Sequence, residues 1–162
     1  MEIVYQIFVT VVGGLIVGIA LDKIRINKRT ITISMTSKIY VSPYDSGSFV
    51  FDYSNNNGTY VIGQQERVFT TKWSKASDTS IHAYSDSTDI DSIALIKNVK
   101  DLSNLNLIDA DFSSRCRTAQ IGDAVAWKNI NGYYAVTKIV SIKDDNRGDT
   151  RDELECQYVI FK

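Results

Sequence analysis

The sequence is poor in the residues from which most active sites are built. Among 162 residues there are one histidine (His82), one proline (Pro43) and two cysteines (Cys116 and Cys156). A single histidine excludes a zinc site made of several histidines, and a Ser-His-Asp triad could form only around His82. The cysteines stand far outside any Cys-x-x-Cys spacing, so in a reducing compartment each reads as a buried structural thiol. No glycine-rich phosphate loop, nucleophile elbow or His-Glu-x-x-His is present. An excess of one charge sign is missing too: 18 basic residues face 19 acidic ones, for a net of −1. That balance argues against bulk nucleic-acid binding. With 44% hydrophobic residues the chain is not compositionally disordered. The expectation is a protein that is not an enzyme and holds no cofactor or metal.

Charge is also absent from one long stretch. Ile3 to Leu21 is a run of 19 residues in which only Tyr5, Gln6 and Thr10 interrupt an apolar and glycine character. A hydrocarbon core roughly 30 Å thick takes about 20 helical residues to cross, so the run is long enough to span. A cleaved signal peptide would need a basic leader, a shorter apolar core and an Ala-x-Ala-like exit. Here Glu2 precedes the run and Leu21-Asp22-Lys23 ends it, which predicts a retained helix. Lys23, Arg25, Lys28 and Arg29 follow the run, and positive charge stays on the cytoplasmic side. Residues 1–29 are therefore expected to be a transmembrane anchor with its N-terminus outside and the rest of the chain cytoplasmic. Gly14 and Gly18 match the small-xxx-small contact pattern, which makes them candidates for helix association in a homo-oligomer.

Beyond the anchor the hydrophobic period changes to two. Thr30 to Met35 alternates polar and apolar residues, and residues 30–162 as a whole predict an all-β domain. Further strand-like runs are Arg67 to Trp73, Ser80 to Tyr84, Ile90 to Lys97, Ala124 to Lys128, Tyr133 to Lys143 and Leu154 to Phe161. Ser48 to Tyr53 and Thr59 to Ile62 flank an Asn-Gly pair, which predicts a tight hairpin. Val99 to Ile108 is the one segment outside the anchor that suggests a short helix or turn. About eight strands make a sandwich or a barrel. Of the charged residues, four basic ones and two acidic ones (Glu2 and Asp22) precede Thr30, leaving this domain a net charge of −3.

Three clusters and the lone histidine are candidates for binding chemistry. In Thr71-Lys72-Trp73-Ser74-Lys75 an indole is bracketed by two lysines. Alternation puts Phe69, Thr71 and Trp73 on one face, a core stripe, and points Lys72 outward; the other reading is a stacking site for an anionic ligand. In Asp111 to Thr118, Arg115 and Arg117 stand among hydroxyls, a donor set that suits phosphate or carboxylate. The same arginines would equally tie the loop to nearby carbonyls and carboxylates. Asp144 to Glu153 packs five acids and two arginines between two strands, which reads as a charged hairpin loop with internal ion pairs. His82 shares a strand face with Tyr84, at a rim or at a ligand. Lys72, Trp73, Lys75, His82, Arg115 and Arg117 are thus the candidate ligand-binding residues.

The strings Asp52-Tyr53-Ser54, Asn57-Gly58-x-Tyr60, Phe69-x-Thr71-Lys72-Trp73-Ser74-Lys75-Ala76-Ser77, Asp111-Phe112-Ser113-Ser114-Arg115 and Asn131-Gly132-Tyr133-Tyr134 resemble a β-rich accessory domain of bacterial proteins. The resemblance runs from Phe49 to Ile160. In that group the domain is usually C-terminal, beside TIR signalling modules or membrane segments. It carries no settled ligand, so it transfers no binding residue. What it implies is a location at the bacterial inner membrane and a role in defence or stress signalling. The function expected is a membrane-anchored sensor of an anionic small ligand, such as a nucleotide signal, or of a protein partner. The alternative is a structural or assembly module that self-associates or docks a protein at the bilayer.

Overall fold

The computed structural model describes residues 40–162 apart from Asn104. The predicted anchor, with Gly14 and Gly18, and the strand expected at Thr30 to Met35 lie outside the described residues. Among the described residues no helix is long and apolar enough to cross a membrane. The domain is all-β, with ten described strands: β1 Val41–Ser42, β2 Ser46–Phe51, β3 Thr59–Ile62, β4 Phe69–Lys75, β5 Ser80–Tyr84, β6 Ile90–Ile96, β7 Cys116–Gln120, β8 Ala124–Asn129, β9 Tyr134–Lys143 and β10 Glu153–Phe161.

These strands form two five-stranded sheets, ordered β1-β3-β4-β5-β7 and β2-β10-β9-β8-β6. Only the β1–β3 pair is parallel. Their inner faces share one core. Period-two alternation fills it from the first sheet with Phe69, Thr71 and Trp73 of β4, leaving Thr70, Lys72 and Ser74 on the outer face. Across the core Trp73 meets Trp127 of β8 edge to face, ring centroids 5.2 Å apart. Burial of large aromatics against each other is the main force joining the sheets.

The second sheet departs from simple alternation. Ala124, Val125, Ala126 and Trp127 of β8 are all buried, because this sheet is covered on both faces. Ala94, Ala124, Ala126 and Val136 face outward under Leu102, Leu105, Leu107 and Phe112 of the β6–β7 connection. Alanine side chains leave the depth that the leucines fill. Val99 to Ile108 is therefore an irregular apolar strap, and its described residues form no helix. Lying along a flat sheet requires apolar residues within reach but no helical period.

The hairpin expected around Asn57-Gly58 is not formed. β2 pairs with β10 and β3 pairs with β4, so the Ser54 to Gly58 turn carries the chain from one sheet to the other. Gly58 is at φ +69°, and a Cβ there would overlap the Trp73 carbonyl oxygen. The Asn-Gly signal marks a left-handed backbone turn pressed against β4, which a hairpin and a sheet crossing can both require.

Candidate functional site

Strand register assembles one polar recess on the outer face of the first sheet. Lys72 of β4 lies opposite Tyr84 of β5, and Tyr84 lies opposite Cys116 of β7. The chain leaves β5 at Ser85, whose N–H donates to the Arg115 carbonyl at 3.0 Å just before β7 begins. This brings Asp86 and Arg115 together from the two ends of the long β5–β7 excursion. Arg115 donates to both Asp86 oxygens, from Nε at 2.6 Å and from Nη2 at 2.7 Å. Lys72 Nζ stands 3.8 Å from the same carboxylate.

The recess measures about 410 Å3 and opens to solvent, with Tyr53, Ser54, Asn57, Tyr84, Asp86 and Arg115 among its lining residues. The guanidinium of Arg115 also lies over the Tyr84 ring, 5.9 Å from its centroid. Tyr84 is steadied by a 2.9 Å hydrogen bond between its hydroxyl and Ser74 Oγ. The Arg115 hydrogen bond, helped by the Lys72 charge, holds the Asp86 carboxyl below the ordinary aspartate range against the opposing effect of burial.

The remaining sequence candidates fall elsewhere. Trp73 is 1% exposed, and its indole N–H donates to Thr71 Oγ1 at 2.8 Å inside the core. β-strand alternation turns its ring into the core, on the face opposite Lys72, while the residue still borders the recess. Arg117 pairs with Ala83, on the face opposite Tyr84, and its guanidinium holds the Asp111 carbonyl and, at 2.9 Å, the Asp111 carboxylate. That is the loop-tying role. His82 lies on the outer face beside the recess lining, its Nδ1 2.9 Å from Thr118 Oγ1. Cys116 and Cys156 are both free thiols; burial pushes the Cys156 thiol well up.

Lys75 ends β4 on the core side, where it meets the β9–β10 loop. Its ammonium is ion-paired with Asp144 and lies 3.8 Å from both Asp145 and Asp152. The three carboxylates come within 4.8 Å of one another, as in a cation site. The cation among them is Lys75 itself, and Arg147 approaches Asp144 at 3.3 Å. Burial would raise the Asp144 pKa, but Lys75, the Asn146 N–H and Arg147 together keep it low. Tyr53 closes the cluster by donating to the Lys143 carbonyl at 2.7 Å and to Asp152 at 3.2 Å. Lys143–Glu153 at 2.6 Å and Arg151–Glu153 at 2.5 Å complete the charged hairpin with internal ion pairs.

Acid should loosen the domain through these carboxylates. Asp86, Asp123 and Asp144 are held below the ordinary range, and the Ser113 hydroxyl, the Ser113 N–H and Arg117 bring Asp111 down to about 2. A carboxyl with a lowered folded-state pKa contributes stability that is present above its unfolded value, about 3.9 for Asp, and is lost as pH falls through the folded value. The urea midpoint is expected to hold steady from pH 7 to about 5 and to drop between about pH 4 and 2. A midpoint that rises on acidification across that window would contradict the assignment.

Comparison of the chain with family models, with curated proteins and with solved structures found no match. The functional reading rests on the geometry and on the sequence.

Proposed function

We propose that the β-sandwich is the sensing module of a single-pass membrane protein and that its outer recess receives a small anionic ligand of the nucleotide class. One observation carries the reading: Lys72 of β4 and Arg115, from the segment just before β7, converge on a single carboxylate, Asp86. A guanidinium fork that donates to two carboxylate oxygens donates to two phosphate oxygens equally well. Asp86 then acts as an internal stand-in, displaced when the external anion enters. Tyr84 offers an aromatic face beside the fork, and Ser54 and Asn57 offer a hydroxyl and an amide at the rim. The membrane attachment rests on the Ile3 to Leu21 run and its basic flank. A role as effector in bacterial defence or stress signalling rests on the resemblance of Phe49 to Ile160.

The test is thermal unfolding of the full chain, in detergent, against a panel of nucleotide second messengers. At least one is expected to raise the melting temperature. Arg115→Ala should weaken that ligand by about tenfold or more, since a bidentate charge-assisted contact is lost. Asp86→Asn should tighten it by removing the internal competitor, and Arg117→Ala, on the opposite face, should leave it unchanged. No shift with any member of the panel would overturn the ligand reading and favour the structural or assembly module.

A further inference from the structure

Among the described residues the two sheets have four edge strands, and three of them carry the usual protection against pairing with another chain. Edges are blunted by shortness, charge or irregular register. β1 is two residues long. β7 carries Arg117. β6 carries Asp91 and a register irregularity between Ile90 and Ser92. β2 has none of these devices. Its six residues, Ser46-Gly47-Ser48-Phe49-Val50-Phe51, include no charge and no proline. Its pairing with β10 runs without a bulge from Ser46 to Phe51. Among the described residues no strand pairs with its other side, and Ser46, Gly47, Ser48 and Val50 are exposed.

We propose that β2 joins a second copy of this chain, edge to edge and antiparallel across a two-fold axis. The charge distribution selects a copy of the same chain over a charged partner. An uncharged edge offers nothing for a partner's charges to match, and two such edges meet without repulsion. The nearest outer-face acid on the adjoining strand is Glu155, opposite Val50. In the dimer it would be separated from its symmetry mate by three strand spacings, roughly 14 Å, beyond the ~8 Å screening length of physiological salt.

Geometry also limits the register. Residues directly opposite in an antiparallel pair share a face and a hydrogen-bonding sense. For a strand paired with itself, opposite residues must then be both even-numbered or both odd-numbered. Two registers keep most of β2 paired: one with Ser48 on the axis and Ser46 opposite Val50, the other with Phe49 on the axis and Ser48 opposite Val50. In both, outer-face serines meet Val50 and the two five-stranded sheets become one of ten strands. The inference holds whether or not the recess binds an anion.

The test uses the full chain in detergent. Light scattering is expected to find a dimer. In a Cys116→Ser background, Ser48→Cys should give a covalent dimer under mild oxidation, whereas Ser113→Cys, on the exposed strap, should not. The double variant Ser48→Lys/Val50→Lys places four like charges at the junction and should weaken association by about a hundredfold or more while leaving the melting temperature of the monomer unchanged. Val50→Thr keeps a neutral β-branched edge and should stay dimeric, which guards against a misfolded lysine variant. A monomeric native chain would overturn the proposal. So would a dimer that persists in the lysine variant while the Ser48→Cys chain fails to cross-link, which would move the contact elsewhere, for example to Gly14 and Gly18 of the expected anchor.

Discussion

Replacing Trp73 by alanine is expected to destabilise the sandwich by about 3–5 kcal/mol, the range for deleting a large aromatic from a packed core. The side chain is 1% exposed and meets Trp127 at 5.2 Å from the opposite sheet, so its removal opens a cavity where the sheets touch. Its N–H donates to Thr71 Oγ1 at 2.8 Å, and that hydroxyl in turn donates to the Tyr60 carbonyl at 2.8 Å. Truncation thus breaks a buried chain of polar contacts as well as apolar ones. Trp73→Phe keeps a ring and loses the donor, and should fall between alanine and the native residue. A double-mutant cycle with Trp127→Ala should return a coupling of about 0.5–1.5 kcal/mol for the aromatic pair. Urea unfolding followed by circular dichroism measures all of these. A loss under about 1 kcal/mol for Trp73→Ala would mean that the indole does not join the sheets.

The second large effect is expected at Gly58. Its φ of +69° costs a residue with a side chain about 1–2 kcal/mol. The added methyl would also overlap the Trp73 carbonyl oxygen, a backbone atom that cannot rotate aside. Gly58→Ala is therefore expected to lose about 3 kcal/mol or more. Gly132 supplies the control, being at φ +80° with nothing within 4 Å of where a methyl would stand. Gly132→Ala carries the backbone strain without the collision and should lose only about 1–2 kcal/mol. Equal losses at the two sites would show that the close approach to β4 contributes nothing. Because Gly58 and Asn57 border the recess, the Gly58 variant should also weaken ligand binding, and the Gly132 variant should not.

The strands that the sequence announces are those whose alternation is local. Ser80 to Tyr84 reads as β5 from end to end because Ile81 and Ala83 alternate with His82 and Tyr84. β7 gives no such signal, since Ala119 is its only fully buried residue and Arg117 occupies a core-side position at the sheet edge. The turn at Asn57-Gly58 is legible as a turn, but not as a crossing between sheets. Whether two successive strands pair with each other depends on partners far along the chain: β2 finds β10 more than 100 residues away.

The site divides in the same manner. Lys72 pointing outward and Trp73 pointing inward follow from the two-residue period of a strand. Asp86 gives no sign of itself in the sequence, because a carboxylate in a turn becomes part of the recess only when Arg115 is folded against it. Lys75 has the sequence setting of a ligand contact, and only the β9–β10 loop, by placing Asp144 beside it, makes it an internal ion-pair partner.

By itself, then, the sequence determined the all-β class, the faces of most strands and the local polarity of each turn. These follow from backbone sterics and side-chain burial acting over two to four residues. The tertiary structure alone decided the strand order, the strap over the second sheet and the recess with its ion pairs. Those features depend on residues far apart in the chain that meet only when the two sheets close over a common core, and no local pattern records which distant partner gains most from the contact.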